Sequence, residues 1–290
     1  MNIQQYRLWH QQLLDASLPK PKPLVMGIVN VTPDSFYDGG KHDKCEQAIE
    51  HARLLIAQGV DILDIGGESS RPGAKTVSAQ DEMDRILPVI KAIREESDII
   101  ISVDTYKTSV MQACVEFGAN LINDITGLPD KATRQWLATT NIPLCIMHMQ
   151  AKPKTMQVAP HYPNGVVLEI KNFLQNRAQE CLDDGIEKEN IILDPGFGFG
   201  KSVEHNLLMI KHLKEFTAMP FPVLLGVSRK STLGEVTGCP KEDRLAPSIA
   251  IAIYSQLQGV GIIRVHDVAE TVAAITMLDA ITKQQASKEV

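Results

Sequence analysis

Short runs rich in valine, isoleucine and leucine recur along the whole chain, and they constrain its fold more than any other feature. Each run is almost continuously apolar, which is typical of strands buried on both faces of a parallel sheet. The predicted strands are residues 24–31, 60–66, 98–104, 119–125, 142–148, 190–196, 222–228 and 259–266. Parallel strands need long crossover connections, so the segments between the runs should form helices that cover the sheet.

Helix-like segments do alternate with these runs from one end of the chain to the other. They span residues 44–58, 78–96, 107–117, 129–140, 164–184, 204–217, 241–257 and 268–282. Eight strand–helix units in 290 residues predict an α/β protein with a single (β/α)8 TIM barrel, one domain over residues 1–290. An N-terminal helix over residues 3–15 is predicted to cap the bottom of the barrel. The alternative is an open, doubly wound sheet.

Composition excludes several classes of function. The formal net charge is -6 and Lys and Arg are not concentrated in any block, so we expect neither a nucleic-acid partner nor a membrane surface. Neither a signal peptide nor an apolar stretch of membrane-spanning length is recognisable. The five cysteines are widely spaced and form no CxxC pair, which indicates reduced thiols and a cytoplasmic location.

Each predicted strand ends in polar or charged residues, and in a barrel these ends meet at the rim that holds the ligand site. In chain order the strand-end residues are Asn30, residues 66–71, Asp104, Asn123 and Asp124, His148, Asp194, residues 228–231 and residues 264–267. A strand-end Asp or Asn can instead cap the next helix. Eight coincident polar ends favour a shared site for a heteroatom-rich ligand that carries an anionic group.

Two motifs suggest functions that closer reading does not support. The segment GFGFGKS at 196–202 resembles a phosphate-binding loop, but Pro195 stands where the first glycine is required. His148 has no second histidine at ligand spacing, so we interpret it as a packed strand-end residue and predict no zinc site.

Seven segments together closely resemble the dihydropteroate synthase family, over residues from about 24 to 280. They are MGIVNVTPDSFYDGG (26–40), DIGGESSRPGA (64–74), SVDTYK (102–107), NDITG (123–127), LDPGFGFGK (193–201), GVSRKS (226–231) and RVHDV (264–268). The resemblance implies a (β/α)8 barrel that joins 6-hydroxymethyl-7,8-dihydropterin diphosphate to 4-aminobenzoate, giving 7,8-dihydropteroate and pyrophosphate in folate biosynthesis. It also implies a dissociative substitution, competition by sulfonamides and a homodimer.

The resemblance also assigns roles to residues. The pterin would be bound by Asp104, Asn123, Asp194 and Lys230, and the diphosphate by Asn30, Ser70, Arg264 and His266. The aminobenzoate would be bound by Pro72, Phe199, Lys230 and Ser231. Catalytic roles fall to Asp104, Lys230, Arg264 and His266, with Asp104 stabilising a pterin cation. Asn30 would ligate Mg²⁺ as the cofactor, and residues 32–40 would form a loop that closes over the site.

Two other functions remain open from the sequence. A pterin-binding methyltransferase that uses methyltetrahydrofolate and a corrinoid would share the Asp and Asn that bind the pterin, but it would not need the cations of the SRKS and RVHDV segments. A degenerate pterin-binding or regulatory protein would not need its catalytic residues intact. The sequence departs from the family pattern at Ser70, Ala151 and Pro247, and none of these changes suggests a different reaction.

Overall fold

The computed structural model describes residues 1–32, 41–69, 71, 73–74, 76–150 and 156–284. Within these residues lie eight strands, all parallel to their neighbours. They are β1 (Leu24–Asn30), β2 (Ile62–Gly66), β3 (Ile100–Asp104), β4 (Leu121–Asp124), β5 (Leu144–Met147), β6 (Ile191–Asp194), β7 (Leu224–Leu225) and β8 (Ile262–Val265).

One helix precedes β1, and most of the others follow the strands and cover the outside of the sheet. They are α1 (Ile3–Leu14), α2 (Lys41–Ala57), α3 (Ala79–Glu96), α4 (Thr108–Glu116), α5 (Lys131–Ala138), α6 (Val166–Asp183), α7 (Val203–Lys211), α8 (Leu213–Thr217), α9 (Ser231–Thr237), α10 (Leu245–Leu257) and α11 (Val268–Lys283). In the part of the chain that is described, no helix is both long and apolar enough to cross a membrane.

The sheet closes on itself, which confirms the predicted barrel and excludes the open doubly wound sheet. Hydrogen bonding runs in chain order from β1 to β6, while β8 lies between β1 and β7. The remaining edge is joined by a parallel bridge between Leu193 and Val223, where the Leu193 amide donates to the Pro222 carbonyl at 2.9 Å. This arrangement brings the carboxyl ends of all eight described strands to one rim.

Alternation along each strand separates two apolar regions. On β1, Val25 and Val29 pack against the surrounding helices, whereas Leu24 and Met26 belong to the smaller core inside the barrel. Gly27 faces outward, because a Cβ there would lie 2.9 Å from Leu55 of α2 and 3.0 Å from Val268 of α11. Successive side chains therefore alternate between barrel interior and helical layer, as strand geometry requires.

The N-terminal helix closes the lower end of the barrel, as predicted. Asn2 and Gln5 form a reciprocal capping box that begins α1. Tyr6, Trp9 and Leu13 then pack into the interior core formed by the first inward-facing residue of each strand. Tyr6 is fully buried there, so its ring fills part of the lower end of the barrel.

Three local features differ from the prediction. The segment 204–217 forms two helices instead of one, because His212 leaves the helical conformation at φ -105° and ψ 26°. The short α9 begins at Ser231, where a helix start was expected, but it lies outside the predicted helical segments; it ends at Gly238, whose φ of 74° allows a left-handed cap. Strand β7 is two residues long where seven were predicted.

Pro247 lies in the first turn of α10, where a missing N–H group costs no helical hydrogen bond.

We predict that Tyr6→Ala lowers the free energy of unfolding by about 3–5 kcal/mol, because the change leaves a cavity among the interior side chains of the barrel. Leu8 provides the control, since it lies on the same helix but is 67% exposed, and Leu8→Ala should change stability by less than about 0.5 kcal/mol. Urea unfolding of both variants measures the difference. Equal losses would show that α1 does not plug the barrel.

Candidate active site at the strand ends

On five of the strands the inward-facing positions change from apolar to polar towards the carboxyl end. Ile62, Ile100 and Leu121 belong to the apolar interior core, and two residues further along their strands stand Asp64, Ser102 and Asn123. The same two-residue step leads from Ile192 to Asp194 and from Ile262 to Arg264. We define the mouth cluster as Asp64, Asp104, Asn123, Asp194, Lys230 and Arg264.

Arg264 lies between two buried carboxylates. Its Nε donates to Asp64 Oδ2 at 2.6 Å, and its Nη2 donates to Asp104 Oδ2 at 2.9 Å. Burial alone would lower the pKa of Arg264, but the charges of Asp64 and Asp104 outweigh it and raise the pKa. The guanidinium is therefore a fixed positive charge whose Nη1 donates to no described residue.

Asp104 occupies an unusual electrostatic position for a carboxyl group. Burial raises its pKa to about 7, the positive charge of Arg264 opposes this shift, and the negative charge of Asp64 adds to it. The Asp104 carboxyl can therefore change its protonation state near neutral pH. Perturbed carboxyl groups of this kind concentrate at functional sites.

Asn123 and Asp194 occupy the inward positions of β4 and β6. The Asn123 amide nitrogen donates to Asp64 Oδ2 at 3.3 Å. Asp194 Oδ1 accepts from the Gly196 amide at 2.7 Å, while its Oδ2 accepts from no described residue. Burial raises the pKa of Asp194, and the charge of Lys230 opposes that shift. Both side chains are almost inaccessible to solvent, yet each keeps hydrogen-bonding capacity unused.

The loop after β6 is held by a lysine that sequence reasoning did not single out. Lys201 is buried, and its Nζ donates to the Gly196 carbonyl at 2.8 Å and the Phe199 carbonyl at 3.0 Å, and lies 3.0 Å from His148 Nδ1. Burial lowers the pKa of Lys201 well below its ordinary value. His148 is itself buried against the edge of Phe173, at 5.0 Å between ring centroids, so it is a packed residue.

Lys230 comes directly before α9 and faces the loop after β6. Its Nζ donates to the Phe197 carbonyl at 2.5 Å and lies 4.6 Å from the centroid of the Phe199 ring, within cation–π range. Burial lowers the pKa of Lys230 to about 8, and the charge of Asp194 opposes that shift. The ammonium group is therefore close to neutralisation at mildly alkaline pH.

A second ion pair joins the loops after β7 and β8. Arg229 donates to both oxygens of Asp267, at 2.9 and 2.6 Å, and this fork is a structural link between the two loops. His266, in the same loop, lies with its Nδ1 3.1 Å from Ser228 Oγ. The cation of the SRKS segment that stays available to a ligand is thus Lys230, while Arg229 is engaged by protein.

A cavity of about 970 Å³ opens above the mouth cluster. It is lined by six residues assigned to the site from the sequence, namely Asn30, Phe199, Lys230, Ser231, Arg264 and His266. The other three that are described, Asp104, Asn123 and Asp194, are buried beside it. Ser70, Pro72, Ala151 and all of the predicted closing loop except Thr32 lie outside the described residues. The cavity is large enough for a two-part organic ligand.

Sequence reasoning missed Asp64, although a signal for it was present. Asp64 is one of two aspartates in the run at 60–66, and it is the one that follows the inward-facing Ile62 by two positions. Its side chain is fully buried and binds Arg264, Asn123 and Ser102. Applying the two-residue period to each run, instead of reading only its last residue, would have identified it.

Comparisons with known proteins place this arrangement among enzymes that bind pterins. The model of the family described as pterin binding enzyme matches residues 26–266. The dihydropteroate synthase of Escherichia coli is 44% identical over 272 residues, which are 94% of this chain and 96% of that protein.

Solved structures agree with the sequence relatives. The dihydropteroate synthase of Yersinia pestis, solved with a sulfonamide drug complex, is 44% identical with a TM-score of 0.85, over 91% of this chain and 95% of that one. The enzyme of Xanthomonas albilineans, solved with 4-aminobenzoic acid, is 43% identical with a TM-score of 0.86, over 91% of this chain and 94% of that one.

We predict that Gly196→Ala disrupts the loop that holds Asp194. Gly196 has a φ of 71°, and a Cβ there would lie 1.9 Å from the His148 carbonyl oxygen, so the backbone must move. Gly238 is the control, because it has a similar φ of 74° but no atom within 4 Å of its added Cβ. Gly238→Ala should cost about 1–2 kcal/mol for the left-handed conformation alone.

Gly196→Ala should lower the free energy of unfolding by at least about 2 kcal/mol more than Gly238→Ala, since overpacking adds to the conformational cost. Denaturant unfolding of the two variants gives the comparison. A matched loss of stability would mean that the close approach of Gly196 to His148 does not fix the loop.

Proposed function

Because this chain belongs to the dihydropteroate synthase family of pterin-binding enzymes, we propose that it joins the two halves of dihydropteroate by a magnesium-assisted dissociative substitution. The enzyme condenses 6-hydroxymethyl-7,8-dihydropterin diphosphate with 4-aminobenzoate and releases pyrophosphate. The observation that carries the proposal for this site is Asp194, a buried carboxylate with one oxygen unused by the described residues. Such a group is suited to the N–H donors of a pterin edge, since an unpaired buried donor costs about 1–3 kcal/mol.

The charges of the mouth cluster support a cationic transition state. Asp64, Asp104 and Asp194 contribute three carboxylates, against the two cations Lys230 and Arg264. The excess negative charge is buried, where electrostatic stabilisation is stronger than in water. It would favour a pterin on which positive charge develops.

The reaction divides into bond breaking and bond formation. The bond between the pterin methylene carbon and the diphosphate oxygen breaks, and its electron pair leaves with the diphosphate. Positive charge spreads into the dihydropterin ring, where Asp104 stabilises it. The amino nitrogen of 4-aminobenzoate then bonds to the methylene carbon and loses a proton. The step depends on the position of the amine and needs no covalent intermediate with the protein.

Asn30, Arg264 and His266 are the described residues proposed to receive the diphosphate. All three line the cavity, and Arg264 Nη1 is not used by the described residues. The Asn30 side chain also makes no hydrogen bond with them, so its amide oxygen is available as a Mg²⁺ ligand. Among the described residues no group of three acidic, histidine or cysteine side chains could hold a metal. A single protein oxygen fits Mg²⁺ that takes its remaining ligands from phosphates and water, and the ion would neutralise the leaving diphosphate.

We place 4-aminobenzoate in the outer part of the cavity, against Phe199, Lys230 and Ser231. The ammonium of Lys230 lies over the Phe199 ring and provides a positive charge near the aminobenzoate carboxylate. Pro72, also assigned to this part of the site, lies outside the described residues. Because a relative was solved with a sulfonamide drug, we expect sulfonamides to compete with 4-aminobenzoate here.

We also propose that the protein is a cytoplasmic homodimer. Helices α10 and α11 lie side by side and expose large apolar residues that a monomer would leave in water. Leu257, Met277 and Ile281 are 55%, 63% and 59% exposed. A second copy of the chain packed on this face would bury them.

The proposed cytoplasmic location is supported by the cysteines. All five are free thiols, which fits a reducing compartment.

The reaction is tested by following pyrophosphate and dihydropteroate together, with dihydropterin diphosphate and Mg²⁺, in the presence and absence of 4-aminobenzoate. We expect dihydropteroate only when both substrates are present, and its loss when EDTA removes the metal. Tight pterin binding without product would contradict the proposal and point to a pterin-binding protein without synthase activity.

Asp194 and Asp104 should affect different kinetic parameters. Asp194→Ala should raise the Kd of the pterin substrate about 5- to 150-fold, which corresponds to 1–3 kcal/mol of lost hydrogen bonding. Asp104→Asn should lower kcat about 10²- to 10³-fold with a small change in pterin affinity, because it removes charge that matters in the transition state. Steady-state kinetics and equilibrium binding separate the two effects. Equal losses in both parameters for both variants would contradict this division.

The pH profile of kcat/KM should be bell-shaped, with limbs near pH 7 and pH 8. Asp104 must be ionised to stabilise the cation, and its raised pKa of about 7 means that activity falls as the pH drops below that value. Lys230 must be protonated, and its lowered pKa of about 8 means that activity falls as the pH rises above it. Asp104→Asn should abolish the acid limb, and Lys230→Arg should shift the alkaline limb upward. Unchanged limbs in these variants would assign the titrations to other groups.

The dimer is tested by sedimentation equilibrium at micromolar protein concentration. Met277→Asp should raise the dimer Kd by at least about tenfold, because it buries a charge in an apolar interface. Leu168→Asp is the control, since Leu168 is 52% exposed on α6, which packs against β5, β6, α7 and α8. A Met277→Asp protein that dimerises like the control would move the interface elsewhere.

A further inference from the structure

Asp64 is the most deeply buried charge of the mouth cluster, and both of its carboxylate oxygens accept hydrogen bonds from other protein side chains. Its side chain is fully buried, and it does not line the cavity. Its Oδ2 accepts from Arg264 Nε at 2.6 Å and from the Asn123 amide nitrogen at 3.3 Å. Its Oδ1 accepts from Ser102 Oγ at 2.6 Å.

The partners of Asp64 distinguish it from a structural carboxylate. A buried carboxylate needs donors, and a barrel could supply them from backbone or from residues of the scaffold. Here two of the three described donors belong to Arg264 and Asn123, both assigned to substrate. The hydrogen bonds that stabilise the buried Asp64 carboxylate therefore also fix the orientation of these two side chains.

We propose that Asp64 is a positioning residue that fixes which hydrogen-bonding atoms Arg264 and Asn123 present to the pterin diphosphate. This inference rests on the proposed function, because it concerns the same site. It deepens that function by assigning part of the substrate specificity to a residue that the substrate does not touch.

Asn123 shows how this orientation works. An ionised carboxylate only accepts hydrogen bonds, so the NH2 group of Asn123 must face Asp64. Its carbonyl oxygen is then the atom turned elsewhere, and it accepts from no described residue. With Asp64 in place, Asn123 offers an acceptor to ring N–H groups; without the carboxylate, the amide can rotate and offer a donor instead.

Arg264 is constrained in a complementary way. Its Nε is directed to Asp64 and its Nη2 to Asp104, which leaves Nη1 as the nitrogen that no described residue engages. The planar guanidinium can satisfy both carboxylates in only one orientation, because its donors are rigidly arranged. Asp64 thus directs the free edge of Arg264 as well as compensating its charge.

The test uses Asp64→Asn, which keeps the shape of the side chain but replaces an acceptor with a donor. Ser102→Ala is the matched control, since it removes one hydrogen bond from the same carboxylate and leaves Arg264 and Asn123 engaged. We expect Asp64→Asn to lower kcat/KM about 10- to 100-fold, the range found when groups that orient functional ligands are removed. Ser102→Ala should stay within about threefold of the wild type.

A double-mutant cycle distinguishes positioning from loss of stability. If Asp64 acts through Asn123, adding Asp64→Asn to Asn123→Ala should weaken pterin binding by much less than it does in the wild-type background. Titration of a non-reactive pterin, followed by fluorescence, measures this coupling. Thermal unfolding of each variant records stability separately.

Equal losses of kcat/KM in Asp64→Asn and Ser102→Ala would overturn the inference, and so would additive effects on pterin binding in the double mutant. If Asp64→Asn does not fold, Asp64→Glu takes its place, because it keeps the negative charge beside Arg264 but displaces the acceptor oxygens. Wild-type kcat/KM in a folded Asp64→Glu protein would likewise overturn the inference. A wild-type protein that makes no dihydropteroate would instead refute the proposed function, which keeps the two failures distinct.

Discussion

The guanidinium of Arg264, paired with both Asp64 and Asp104, is the interaction on which the site depends. Neither carboxylate could be buried at the end of the barrel without this positive charge, because an isolated buried charge is too costly. Because one cation pairs with two carboxylates, this group of three side chains keeps a net negative charge although each carboxylate has a charged partner. Burial still raises the pKa of Asp104 to about 7, because the opposing positive charge of Arg264 offsets only part of that effect and the negative charge of Asp64 adds to it.

The closed barrel makes this pairing possible. Arg264 and Asp64 are 200 positions apart in the chain, yet β8 and β2 both flank β1. Because all the strands run in the same direction, their first inward-facing residues form one apolar layer. The inward-facing residues nearer the carboxyl ends form a second layer, which is mostly polar. The lower layer stabilises the fold, and the upper layer holds the residues of the candidate site. A step of two residues along a strand therefore separates a core residue from a candidate site residue.

The sequence predicts much of this structure because its strongest signals are local. Apolar runs and their spacing predict the barrel, and the residue at each run's end predicts most of the described site. Asp64 was missed because it lies within a run, and Lys201 because its burial depends on how the loop after β6 folds around it. The sequence has no strong periodic signal for the break at His212 or for the length of α9. Tertiary packing therefore determines where these helices end.

The plug formed by Tyr6, Trp9 and Leu13 fills the end of the barrel opposite the site. Asp194 and Asn123 lie buried at the inner end of the site, while Ser231 and Phe199 line the outer cavity. A molecule seated against the outer residues would block the route of one bound further in. This inner and outer arrangement favours compulsory-order kinetics, in which the pterin substrate would enter before 4-aminobenzoate and the condensed product would leave with its aminobenzoate end first.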